Sequence, residues 1–137
     1  MATTTFLSNA TISVASQDLS DQANQVTLTI GQDSLESTAF GDTGHRFTGG
    51  LQSVDVSITF FLSYGANEVE AILAAQVGLG TTTLVISPSG TTESATNPEY
   101  TITNAMLANF TPINSTVGEL ATVQATFTGG TWARDIT

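Results

Sequence analysis

Residues 52–63 constrain this chain more than any other stretch. There Val54, Val56, Ile58 and Phe60 alternate with Ser53, Asp55, Ser57 and Thr59. Successive side chains of a strand point to opposite faces, so this spacing predicts one strand with an apolar face and a hydroxyl-rich face. A register slip of one residue would bury Asp55, which makes the pairing strongly specified. The same period of two places Ile12 and Val14 on one face of residues 10–15, and Val26, Leu28 and Ile30 on one face of residues 25–30. It recurs over residues 100–110 and over residues 122–128, where Val123, Ala125 and Phe127 alternate with polar neighbours. Residues 81–87 read as a further strand.

One segment departs from this pattern. Val69, Ile72, Leu73, Gln76 and Val77 follow helical spacing, which predicts a helix over residues 67–77. Asn67 is the expected N-cap, Glu68 and Glu70 suit the positive end of the helix dipole, and Gly78 and Gly80 close the element. Two stretches show no regular period. Residues 32–51 hold Gly41, Gly44, Gly49 and Gly50 around Phe40 and Phe47, and residues 129–137 place Trp132 behind the pair Gly129-Gly130. Apolar side chains in such segments call for a surface to cover them, so both stretches are expected to meet a partner. The fold class that follows is mainly β: an antiparallel β-sandwich or partial barrel of six or seven strands with one flanking helix. The 137 residues form a single domain, with an N-terminal arm (1–9), a long loop (32–51) and a C-terminal arm (129–137).

Composition narrows the function. Twelve acidic residues face two cations, Arg46 and Arg134, for a net charge of −10, and there is no lysine or cysteine. A basic patch for gripping phosphate cannot be assembled from two arginines. The lack of cysteine removes disulfides, thiolate metal sites and thiol catalysis. Polarity comes instead from 25 threonines and 13 serines. Met1 to Leu7 lacks the basic and apolar regions of a secretory signal, so the chain is expected to work where it is made, and no apolar run approaches the roughly 20 residues that cross a bilayer. Without a secretory signal, Asn9-Ala10-Thr11 and Asn114-Ser115-Thr116 are chance matches to glycosylation acceptors.

Searching for chemistry yields little. His45 is the single histidine, and a triad with a serine and Asp42 can be drawn, but no Gly-x-Ser-x-Gly turn is present, so a plain loop or interface histidine is the better reading. Asp18 with Asp21, or Asp33 with Glu36, could join in an oxygen-ligand site, but neither spacing is that of a calcium loop, and turn or cap carboxylates explain them. No phosphate-binding glycine motif occurs. Tyr100 and Trp132 could stack a sugar, while a tyrosine on a strand more often packs within the sheet. We therefore expect no catalytic residues, cofactor or metal.

The order Asn9-Ala10-Thr11-Ile12-Ser13-Val14, Asp18-Leu19-Ser20-Asp21 through Leu28, and Asp33-Ser34-Leu35-Glu36-Ser37-Thr38-Ala39-Phe40-Gly41-Asp42 resembles the N-terminal half of long-tailed bacteriophage major tail tube proteins. The resemblance continues through His45-Arg46-Phe47, Gly50-Leu51, the strand from Ser53 to Phe61, the helix, and a last strand that starts near Gly118-Glu119. It spans nearly the whole chain. It implies a β-sandwich with a flanking helix that forms homohexameric rings, stacked into a tube through which the genome passes without stable binding. Tape-measure, tail terminator and tail tip proteins would be its partners, with the virion tail as its location after assembly in the host cytoplasm and with no membrane contact.

On that reading Asp55 is a candidate lumen carboxylate, since an acidic, hydroxyl-lined wall repels phosphates without holding them. Asp55 could equally face plain solvent. Phe40 and Phe47 are candidate apolar anchors between subunits, His45 and Arg46 candidates to meet acidic groups of a neighbour, and Trp132 a further interface candidate; the alternative is a loop folded on its own sheet. Two other functions suit a small acidic β domain: a capsid decoration or cement protein, and a carbohydrate-binding β-sandwich using Tyr64, Tyr100 and Trp132.

Overall fold

A computed structural model describes residues 9–137. Apart from Asn9, the expected N-terminal arm (1–9) lies outside the described residues. Eight strands and one helix follow in the order β1 (Thr11–Val14), β2 (Gln17–Asp18), β3 (Ala23–Glu36), β4 (Phe47–Phe61), α1 (Val69–Gln76), β5 (Thr82–Ser87), β6 (Glu99–Phe110), β7 (Thr122–Thr128) and β8 (Thr131–Asp135). Every pairing is antiparallel. The strands run β2-β1-β5-β6-β7-β4-β3, with β8 also on β6. The sheet does not close. The fold is thus mainly β with one helix, as the alternation predicts.

Strand β6 belongs to both halves of this sheet. Its first half pairs with β5 and β8, and its second half, from Met106 to Phe110, pairs with β7. The pairs Met106↔Thr128 and Thr103↔Thr131 keep one offset along β6 on either side of Gly129-Gly130, so β7 and β8 continue each other around a bend at these glycines beside Asn104. All three bend residues have positive φ, of 83°, 87° and 63°. Folding about this corner lays the apolar faces of the two halves on one core. Val54, Val56, Ile58 and Phe60 from β4 meet Val123, Ala125 and Phe127 from β7, with Ile12, Val14, Leu84 and Ile102 from the other half, all buried. Each large side chain of this set contributes about 1.5–3 kcal/mol by leaving water.

Helix α1 packs on β6 and buries Val69, Ile72, Leu73 and Gln76. The amide of Gln76 is not stranded there, because Thr82 Oγ1 donates to its Oε1 at 2.8 Å. Val77, expected on the same stripe, lies past the helix and is exposed. The expected N-cap is also corrected. Asn67 sits at φ 64°, inside the turn closed by Glu68 N–H to the Gly65 carbonyl, and Glu68 is the residue at the cap position. The first helical amide, Val69 N–H, is accepted instead by Ser63 Oγ at 3.3 Å, from beyond that turn.

Both irregular stretches are corrected too. Strands β3 and β4 pair from Ala23↔Phe60 to Glu36↔Phe47, whereas β7 accompanies β4 only over Asp55–Phe61. Residues 31–36 and 47–53 therefore project past the sheet as a two-stranded ribbon roughly 20 Å long, and only residues 37–46 form its tip. The expected long loop (32–51) is a hairpin whose period is hidden because neither ribbon face is buried. The expected C-terminal arm (129–137) is mostly β8, a strand too short to show a period of its own.

Candidate functional site

Two surfaces stand out. The first is the outer face of β3, β4 and β7, where the register aligns three rows of three residues: Gln25-Thr59-Gln124, Thr27-Ser57-Thr126 and Thr29-Asp55-Thr128. None of the nine is buried, and Asp55 is the one ionisable group among them. Threonine is well suited to a strand that is wet on one side, because its branched β-carbon favours extended backbone while its hydroxyl meets water. The rows are tied laterally: Thr128 Oγ1 donates to Asp55 Oδ1 at 2.7 Å, and Gln124 Nε2 donates to Ser57 Oγ at 3.1 Å. The result is a polar surface with one carboxylate and no cation among its nine residues. Asp55, the candidate lumen carboxylate, lies at its hairpin-side end.

The second surface is the hairpin tip, which brings together Phe40, His45, Arg46 and Phe47. Residues 39–42 form a β-turn closed by Asp42 N–H to the Ala39 carbonyl at 3.1 Å, with Gly41 at φ 96° in the third position. That positive φ is the mark of a type II turn, which favours glycine there. Phe40 occupies the corner and is fully exposed, at 109% relative to an isolated residue. Asp42 Oδ2 accepts from Ala39 N–H at 2.7 Å, and Thr38 Oγ1 accepts from Arg46 N–H at 2.9 Å, so the tip is ordered by its own hydrogen bonds. His45 Nδ1 contacts Glu36 Oε2, its ring lies 6.4 Å from that of Phe47, and Arg46 reaches Asp42 at 3.6 Å.

Trp132 is not part of this group. It lies on β8, half-buried at the root of the hairpin, where its Nε1 donates to Gln52 Oε1 at 3.0 Å and its ring stands 6.2 Å from Tyr100. Its indole braces the ribbon against the sheet. The strand expected to start near Gly118-Glu119 begins instead at Thr122, because Glu119 N–H closes a turn on the Thr116 carbonyl; residues 111–121, between β6 and β7, form a loop on which Ile113, Val117 and Leu120 are largely exposed. Their lack of period gave no signal, although three apolar residues in a polar loop would have been one.

The shifted carboxylates have structural roles. Hydrogen bonds from the Ser20 hydroxyl and amide hold Asp18 below its ordinary value, and the Gln22 amide and Ser63 hydroxyl do the same for Glu68. Among the described residues no group of three His, Asp or Glu side chains could hold a metal, and no helix is long and apolar enough to cross a membrane. A groove of about 370 Å³ opens where β3 faces β5 and β6, lined chiefly by Val26, Leu28, Ile30, Ile86, Pro88 and Tyr100.

No protein-family model matches the chain, and no curated protein matches it. Solved structures do. A chain in the virion of a native gene transfer agent particle superposes with a TM-score of 0.73 at 8% identity, covering 93% of this chain and 95% of that one. The sheath/tube terminator of the PVC extracellular contractile injection system, in its extended state, gives 0.72 at 16% identity over 98% of both chains. The sheath–tube complex of that system gives 0.68 at 15% identity, covering 94% and 89%. At these identities the likeness establishes the fold, which is tail-tube-like. These three structures come from a gene transfer agent virion and from an extracellular contractile injection system.

Proposed function

We propose that this chain is a tube subunit of a phage-type tail, without catalytic activity, forming homohexameric rings that stack into a conduit for the genome. The observation that carries the reading is the nine-residue polar face on β3, β4 and β7, free of cations and nearly free of charge. DNA slides past such a wall, because no Lys or Arg is present to exchange for its counterions and hold it. The tail-tube-like fold supports the reading, and so does the exposure of Phe40 and Phe47 on an ordered hairpin. With those two residues, His45 and Arg46 form the contact surface toward neighbouring subunits. The assembled tube belongs to the virion tail, is built in the host cytoplasm, and meets tape-measure, terminator and tip proteins.

Six copies carry about sixty net negative charges, so apolar contact must outweigh repulsion and salt should promote growth. At physiological ionic strength the Debye length is about 8 Å. High-speed sedimentation at low and physiological salt tests this: pelletable tubes that increase with salt are expected, and a protein soluble and monomeric at both would refute it. Arg46→Ala and Phe47→Ala should each leave the monomer folded and abolish the pellet; normal tubes from both would remove the tip from the interface. A second reading is favoured by the likeness to a sheath/tube terminator. Such a subunit would form discrete rings that stop growing.

A further inference from the structure

The core of the sandwich is left open under β3. Val26, Leu28 and Ile30 pair with Ile58, Val56 and Val54 and so share their face. The three β4 residues are buried, yet none of the three on β3 is, and Ile30 is 37% exposed. Across from them stand Ile86 near the end of β5, Pro88 just beyond it, and Tyr100 of β6, with a groove of about 370 Å³ between. An apolar strip of this kind calls for a cover.

The chain itself leads into this groove. β1 leaves its ladder with β5 at Thr11↔Ser87, and the preceding residue, Ala10, lines the groove. An adjoining hollow along Ala23 to Val26 of β3 is lined by Ala10 and Ile12. Passing back from Ile12 to Ala10 therefore moves along β3 from its start toward Ile30, and a chain continued in that direction runs on beneath Leu28 and Ile30. Alternation decides which side chains face inward. Val14 and Ile12 are buried in the core and Ala10 lines the groove, so the same face of a continued strand carries Ser8 and Phe6. Four residues separate Phe6 from Ala10, and four separate Ile30 from Val26, about 13 Å of extended chain in each case. Residues 1–8 contain no charged side chain, and Phe6 is the one aromatic among them.

We propose that the chain's own residues 6–8 occupy the groove, with Phe6 against Leu28, Ile30 and Tyr100, and so close the open side of the sandwich. The occupant belongs to the same copy, because Phe6 is four residues from a wall of the groove and reaches it with no loss of free translation or rotation between molecules. The contact lies within one subunit and does not depend on the tube reading.

Nuclear magnetic resonance on the full chain, dilute and at low salt, tests it. Contacts between the Phe6 ring and the methyl groups of Leu28 and Ile30 are expected in labelled protein, and in a mixture of labelled and unlabelled copies they should stay within the labelled ones. Contacts that cross between copies would give the groove to a neighbour's segment, and no contact at all would leave it to another ligand; either overturns the proposal. Stability gives a second readout. Phe6→Ser should lower the melting temperature by about 5 °C, the scale of one apolar side chain returned to water in a chain of this length, and Phe6→Leu by less. In a protein that already carries Ile30→Ser, the further loss from Phe6→Ser should be clearly smaller, because the two side chains touch. A Phe6→Ser protein that melts like the wild type, or losses at the two positions that simply add, would overturn the contact.

Discussion

Replacing Gly130 with alanine should damage this fold more than the same change at its neighbour Gly129. Both glycines have positive φ, 87° and 83°, and an L-residue in that region costs about 1–2 kcal/mol. They differ in what a β-carbon would meet. At Gly130 it would lie 2.3 Å from the Thr103 carbonyl oxygen and 3.0 Å from the carbonyl carbon and oxygen of Asn104, whereas at Gly129 nothing lies within 4 Å. The obstructing atoms are backbone of β6 at the corner, so relief requires moving the strand shared by both halves of the sheet. Adding about 1–3 kcal/mol for overpacking brings Gly130→Ala to about 3 kcal/mol, against about 1–2 kcal/mol for Gly129→Ala. For a chain of this length that is a fall in melting temperature of about 10 °C against about 5 °C. Thermal unfolding followed by circular dichroism, in dilute protein at low salt, gives both values. Equal losses at the two positions would refute the close approach at Gly130, and with it the account of the corner.

Three other outcomes are expected. Asp18 and Glu68 are held below their ordinary values in the folded state, so their stabilisation is present above the unfolded carboxylate range and is lost as pH falls through the folded values, below about pH 4; melting temperatures from pH 7 to pH 3 should fall more shallowly for Asp18→Asn, and an unchanged acid limb would contradict this. Trp132→Phe removes the hydrogen bond to Gln52 and should cost about 1 kcal/mol, with faster amide exchange at the hairpin root; exchange equal to wild type would remove the brace. Asp55→Lys should make assembled tubes retain DNA in a salt-dependent way while Asp55→Asn does not, and tubes of Asp55→Lys that retain none would place this face elsewhere than the bore.

Strands with one buried face could be read from the sequence. Val54 to Phe60 and Val123 to Phe127 alternate because the core lies on one side and water on the other, and the expected strand over residues 122–128 matches β7 residue for residue. Where neither face is buried, alternation vanishes, which is why the ribbon over residues 31–36 and 47–53 looked like a loop. Strand β8 was hidden because it has five residues and none of them is buried, too few and too wet to show a period. Asn67 shows the limit of local rules: its residue type suits a cap, but the turn before the helix handed the role to Ser63. For the candidate site, the alternation identified Asp55 as lying on a polar face. It could not show that Thr29 and Thr128 flank it, because strand order is a tertiary property. Phe40, His45, Arg46 and Phe47 were singled out together and lie together at one tip, because a ten-residue turn leaves them nowhere else to go.

The most direct test of the account is a helical reconstruction by electron cryo-microscopy of the purified protein at physiological salt. Hollow tubes of stacked six-fold rings are expected, with Thr27, Thr29, Asp55, Ser57, Thr126 and Thr128 facing the bore. Tubes with that face turned outward, or a field of monomers, would contradict it.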